Sequence, residues 1–248
     1  MKSSLSLSMF IKLFLLLALL DICVSKSVFD FFYFVQQWPG SYCDTKRSCC
    51  YPITGKPASN FSIHGLWPNY NNGSWPSDCN PKHPFNQSQI SDLVSRAQTS
   101  WPSLGCPSSN NIKFWKHEWS KHGTCSESVG LDQHAYFQHT LDLKDQIDLL
   151  QILQDAGIKP DGSFYNVSSI EEAIEKGSGY FPGIRCNFDA SRNSQLLEIY
   201  LCVDKSATRF IDCPILPHSN CPSQVEFPTF GADSGILQLA TPSSPNYI

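Results

Sequence analysis

Ten cysteines in an exported chain limit what this sequence can become more than any other feature. Of the 11 cysteines among 248 residues, Cys23 falls in a leader-like start. Lys2 and Lys12 mark that start, its apolar run from Met9 to Leu20 has the length of a signal-peptide core and is short for a bilayer span, and Ser25-Lys26-Ser27 offers small residues for cleavage. No later segment is long and apolar enough to cross a membrane. Loss of residues 1–27 leaves 221, which suits one domain with a real core. It also leaves an even set of cysteines: Cys43, Cys49, Cys50, Cys79, Cys106, Cys125, Cys186, Cys202, Cys213 and Cys221. Five disulfides are expected in an oxidising compartment. Sequons at Asn60, Asn72, Asn86 and Asn166 are candidate glycan sites on such a surface.

Charge argues against a protein that coats nucleic acid. Without Lys2, Lys12, Lys26 and Asp21 of the leader, 15 Lys+Arg stand against 21 Asp+Glu, a net of −6. A stable binder would carry a basic field, whereas an enzyme that holds a few nucleotides and releases them needs only a local cationic cluster.

Phe29 to Trp38 is dense in aromatic residues and reads as a buried strand, and Leu196 to Val203 has strand-like composition. Between them lie helical patterns: Gln89 to Gln98 with Ser88 as cap, His134 to Leu153 as two helices, and Ser169 to Lys176 with Glu171 and Glu172 in its first turn. Residues from Tyr51 to Pro84, rich in Pro, Asn, Gly and Ser, read as loops. Strands at both ends with helices between them predict an α+β domain. After Phe230 the composition turns to Gly, Ser, Pro and Thr, so residues 231–248 are expected to extend beyond a domain spanning 28–230.

Two segments carry chemistry. Phe114-Trp115-Lys116-His117-Glu118-Trp119-Ser120-Lys121-His122-Gly123-Thr124-Cys125 packs two imidazoles, a carboxylate and an ammonium into six residues. As an α-helix turning by about 100° per residue, it would bring Phe114, His117, Glu118, Lys121, His122 and Cys125 within an arc of about 140°, with Trp115 at the edge and Trp119 well behind. One face would carry chemistry while the tryptophans pack. Phe61-Ser62-Ile63-His64-Gly65-Leu66-Trp67-Pro68-Asn69 reads as a strand that ends in a tight turn just after His64. Two histidines to exchange base and acid roles, with cations to hold developing charge, suit cleavage of a phosphodiester.

Blander readings compete. A lone histidine before a turn is more often a polar surface group than a catalyst, and His83, His134, His139 and His218 are taken as ordinary surface residues. His-Glu-x-x-x-His at 117–122 resembles a zinc motif, but its five-residue step puts the imidazoles roughly 140° apart on an α-helix, which argues against a shared metal ion.

These two segments, together with Phe34-Val35-Gln36-Gln37-Trp38-Pro39, the cysteine layout and Phe181-Pro182-Gly183-Ile184-Arg185-Cys186, resemble the RNase T2 family of secreted ribonucleases over about residues 29–230. The acidic charge favours its plant S-like branch over the pollen-rejection branch, which is generally basic. The resemblance implies a disulfide-stapled domain with a central antiparallel sheet flanked by helices. It also implies endoribonucleolytic cleavage of single-stranded RNA through a 2′,3′-cyclic phosphate, without metal or other cofactor and without action on DNA. Mapped by motif, His122 is the general base and His64 the general acid, His117 and Lys121 hold the phosphate, and Glu118 stabilises the transition state. Gln37, Trp67 and Phe114 match substrate-binding positions. The implied pairs are Cys43 with Cys49, Cys50 with Cys106, Cys79 with Cys125, Cys186 with Cys221, and Cys202 with Cys213. A secreted monomer with no membrane partner is expected, with the short apolar patch Ile236 to Leu239 as a possible vacuolar sorting signal. The competing class is a storage or signalling glycoprotein of the same fold; such relatives usually lack a catalytic histidine, and both are present here.

Overall fold

The computed structural model describes residues 28–107 and 109–231. The expected leader over 1–27 and the extension beyond Gly231 lie outside them. Seven strands form one sheet: β1 (Phe31–Gln37), β2 (Ser62–Asn69), β3 (Phe164–Asn166), β4 (Gly183–Phe188), β5 (Ser194–Val203), β6 (Phe210–Ile211) and β7 (Gln224–Glu226). The order is β2-β1-β5-β7-β3, with β4 and β6 also paired to β5. The pairings are antiparallel apart from a short parallel contact of β5 with β7. The expected α+β architecture is therefore found.

β1 is buried along its whole length. Phe32 and Phe34 enter the main core, while Phe31, Tyr33 and Val35 form a smaller cluster with Tyr200 and Cys202 on the opposite face. Coverage of both faces explains why this strand reads as an unbroken apolar run rather than an alternation.

The helices are α1 (Pro39–Cys43), α2 (Val94–Ser100), α3 (Asn111–Glu118), α4 (Thr124–Ser126), α5 (Gln133–Gln146), α6 (Leu149–Asp155) and α7 (Val167–Ser178). The last three match the expected helices closely. Asp132 caps α5 and Asp148 caps α6, each accepting a first-turn N–H on its carboxylate. The expected helix over Gln89–Gln98 is instead a short 3₁₀ turn, Gln87–Ile90, followed by α2, and Asn86 rather than Ser88 is the cap. The cause is tertiary: the Asn86 backbone exchanges two hydrogen bonds with the Gln133 side chain, which starts the turn early. α7 begins at Val167, whose N–H bonds the Ser223 carbonyl, so Glu171 and Glu172 lie beyond its first turn.

All five implied disulfides are present: Cys43–Cys49, Cys50–Cys106, Cys79–Cys125, Cys186–Cys221 and Cys202–Cys213. Asn72, Asn86 and Asn166 are exposed, whereas Asn60 is half-buried with its amide directed to Asp148. Trp38, Trp101, Trp115 and Trp119 are fully buried, and each indole N–H donates to a backbone carbonyl. Two of these bonds run in series: Trp115 donates to the Trp101 carbonyl, and Trp101 donates to the carbonyl of His64. Through them α3 is tied to β2.

Candidate active site

His64 occupies a β-bulge. Val35 pairs with Gly65 and Gln36 with Ile63, so His64 is the extra residue on β2. In a regular strand, residues three apart point to opposite faces. Here Ile63 and Leu66 both enter the main core, and His64 and Trp67 both face a cleft on the other side. The bulge performs that change of phase. The expected tight turn after His64 is therefore corrected: β2 continues through Gly65, Leu66, Trp67 and Pro68 to Asn69. Pro68 is tolerated because β2 is an edge strand that, among the described residues, pairs only with β1. Gly65 is required by space rather than by a turn, since a Cβ there would lie 2.1 Å from Trp67 Nε1 and 2.3 Å from Glu118 Oε2.

The second segment carries its own irregularity. α3 runs to Glu118, Trp119–Gly123 forms one π turn in which the Thr124 N–H bonds the Trp119 carbonyl, and α4 follows. A π turn holds more residues than an α turn. The five-residue step from His117 to His122 thus comes nearer to a full revolution than it would on an α-helix, and both imidazoles reach the same cleft. The Lys121 carbonyl within the turn accepts from the N–H of Asp78, next to the Cys79–Cys125 bridge. Trp115 and Trp119 pack in the core, as expected.

The cleft has a volume of about 760 Å³ and is lined by His64, Trp67, His117, Glu118, Lys121 and His122. Trp67 organises it. Its indole stacks on His122 with centroids 5.2 Å apart, meets His64 edge-on at 4.9 Å, and donates from Nε1 to Glu118 Oε2 at 2.9 Å. The ring of Phe114 lies 6.2 Å from that of His64 but is not part of the cleft lining. Gln37 is only 3 % exposed, sits opposite Ser62 and Glu198 in the sheet, and does not line the cleft.

The two imidazoles are driven in opposite directions. Burial lowers His122 to about 3, with the nearby Lys121, His117 and His64 adding to the effect, so this ring is neutral at mildly acid pH. Burial also lowers His64, but the hydrogen bond and charge of Glu198, with the charge of Glu118, outweigh it and hold this ring above its ordinary value. Burial raises Glu118 to about 7, against the opposing pull of His64 and the Trp67 N–H. Its carboxyl is therefore largely protonated in acid. Burial and Lys121 lower His117.

Sequence reasoning missed several cleft residues. Glu198 contacts His64, and Asn69, Trp75, Arg185, Tyr200 and His218 line the walls. His218, expected on the ordinary surface, is exposed and also lines this cleft. Its loop is tied down by Cys202–Cys213 and by the Tyr33 hydroxyl, which donates to the Ile215 carbonyl. Trp75, 62 % exposed, showed a usable signal, an aromatic residue in a polar loop, and Asn69 and Arg185 lie within segments that carry the family resemblance.

The sequence model of the Ribonuclease T2 family matches residues 29–213. The extracellular ribonuclease LE of Solanum lycopersicum is 57% identical over 230 residues, covering 93% of this chain and 100% of that one. The intracellular ribonuclease LX of the same plant is 58% identical over 225 residues, covering 90% and 94%. A crystal structure of RNase NT in complex with 5′-AMP superposes with a TM-score of 0.78 at 57% identity, over 82% of this chain and 99% of that one.

Proposed function

The chain belongs to the ribonuclease T2 family, and from that footing we propose that its cleft cleaves single-stranded RNA by transesterification, with His122 as base and His64 as acid. The observation that supports these roles is the opposed protonation of two imidazoles held against one indole. Neutral His122 takes the proton of the 2′-hydroxyl, the 2′-oxygen forms its bond to phosphorus, the bond from phosphorus to the 5′-oxygen breaks, and protonated His64 supplies the proton that oxygen needs. The product is a 2′,3′-cyclic phosphate, which the same two groups can open with water in exchanged roles.

Lys121 supplies positive charge to the phosphate, His117 an N–H, and the protonated Glu118 carboxyl a hydrogen bond to a phosphoryl oxygen as charge builds there. DNA lacks the attacking hydroxyl and is excluded. Trp67 and exposed Trp75 offer ring faces on which bases stack, with Phe114 beside His64 as a further base contact.

The test compares His64→Ala and His122→Ala on a dinucleotide and on an aryl phosphodiester, whose leaving group needs little protonation. His64→Ala should lose roughly 10²–10⁴-fold in kcat/KM on the dinucleotide and far less on the aryl ester. His122→Ala should lose similar factors on both. Equal losses for His64→Ala reject it as the acid, and activity that vanishes with a strong chelator rejects the metal-independent route.

Export accords with the similarity to an extracellular enzyme, but an intracellular relative is equally similar. Residues 231–248 are proposed to carry vacuolar sorting information. If a chain ending at Phe230 travels to the same place as the full chain, that proposal fails.

A further inference from the structure

Nδ1 of His64 lies 2.5 Å from Oε1 of Glu198, although 134 residues separate them in sequence. The Glu198 side chain is 11 % exposed, and that of His64 is 29 % exposed. Oε2 of the same carboxylate accepts the hydroxyl hydrogen of Tyr200 at 2.8 Å. Glu198 and Tyr200 are two apart on β5 and so share a face. β5 is paired on both sides, with β1 and with β4, which makes it a rigid base for a side chain that must be placed accurately. Arg185, a cleft residue, is the cross-strand neighbour of Glu198 on β4.

A carboxylate can only accept, so the imidazole nitrogen facing it must carry a proton. In the neutral ring this leaves Nε2 as the atom that gains and loses a proton. Taking His64 as the acid, as proposed above, we propose that Glu198 is a positioning residue for RNA cleavage: pinned by Tyr200, it keeps Nδ1 of His64 protonated and turns Nε2 toward the leaving 5′-oxygen. Glu198 makes no contact with the reacting atoms; it acts through His64. Other groups also bear on that ring. Glu118, His117, Lys121 and His122 face it from the helical segment, Tyr200 from β5 and Arg185 from β4. Of these, Glu118 carries little negative charge in acid because burial raises its carboxyl to about 7, which leaves Glu198 as the lasting counter-charge.

Glu198→Gln keeps the size and an acceptor oxygen but removes the charge. With the dinucleotide, kcat/KM should fall on the order of tenfold to a hundredfold, part of the roughly 10²–10⁴ that a general acid supplies. The alkaline limb of the pH profile should move to lower pH, because His64 then loses its proton more easily. With the aryl phosphodiester the loss should be small. A merely structural role would lower both substrates together and leave the limb in place, and that result overturns the proposal.

Should the variant not fold, the nitrogen chemical shifts of His64 in the unaltered enzyme decide. Nδ1 protonated at every pH, with titration at Nε2, is the expected result; an Nδ1 without a proton in the neutral ring overturns the proposal. The failure of the acid assignment itself is distinguishable. If His64→Ala penalises both substrates equally, the parent reading is wrong, whereas if only Glu198→Gln fails to discriminate between them, His64 remains the acid and Glu198 is not its partner.

Discussion

The indole of Trp67 stacks on the imidazole of His122, with centroids 5.2 Å and planes 28° apart, and its edge contacts bring it against His64 as well. One side chain on the edge strand therefore sets the positions of both imidazoles proposed to move protons, and its N–H fixes the buried carboxyl of Glu118. Anything that shifts this indole shifts both imidazoles and the carboxyl together.

Gly65→Ala is the smallest change that does so. Its Cβ would collide with the indole nitrogen and with Glu118 Oε2, and neither can retreat without loss of their hydrogen bond. Misplacement of reacting groups by about 1 Å costs on the order of 10²-fold. We expect a loss in kcat/KM of about that size and a stability cost of about 1–3 kcal/mol from overpacking. Near-normal kinetics in Gly65→Ala would show that the cleft tolerates movement of the indole.

The pH dependence of kcat/KM follows from the two imidazoles. In the proposed roles the base must be neutral, and burial with nearby positive charge holds His122 at about 3, so activity should persist far into acid and fall only as pH approaches that value. The acid must be charged, and Glu198 holds His64 above its ordinary value, so the alkaline limb should lie on the high side of that value. Rates of dinucleotide cleavage across acid and neutral pH check this. An acid limb close to the ordinary histidine value of about 6.5 contradicts it.

Glu118→Gln should change how stability depends on pH. A carboxyl raised from 4.5 to about 7 binds its proton more tightly in the folded chain than in the unfolded chain. Its contribution is fully present below 4.5 and is lost as pH climbs through about 7. The variant has no such loss. Its unfolding free energy relative to the parent should therefore improve across that window, by on the order of 3 kcal/mol at most. Denaturant unfolding of both proteins at several pH values measures it, and a constant difference refutes the buried acid.

Replacing Cys79 and Cys125 together by alanine should loosen the helical segment just beyond the π turn. The bridge closes a sequence separation of 46 residues, and the amide of Asp78 beside it serves the Lys121 carbonyl. Loss of such a bridge costs about 2–5 kcal/mol. Calorimetry should register that cost, and kcat/KM should fall at temperatures where the remaining fold is intact, because the turn that aims Lys121 and His122 has lost its support. Unchanged activity would show that the π turn holds itself.

Much of this protein was determined by sequence alone. Phe114 to Cys125 and Phe61 to Asn69 supplied the candidate reactive groups, the family resemblance supplied the pairing of ten cysteines, and the apolar pattern of β1 and the helical spacing of α5 and α6 were readable because such periodicity is local chemistry. What tertiary structure decided lay beyond local periodicity. His64 and Trp67 share a face only because an extra residue enters β2 opposite Val35 and Gln36, and Gly-Leu-Trp-Pro otherwise resembles a turn. His117 and His122 share a cleft only because the helix takes a π turn that an outside amide supports. Glu198 reaches His64 because β1 lies between β2 and β5 in the sheet, an order set by burial of apolar faces across the whole chain. Such contacts depend on which elements become neighbours, and a one-dimensional pattern does not carry that information.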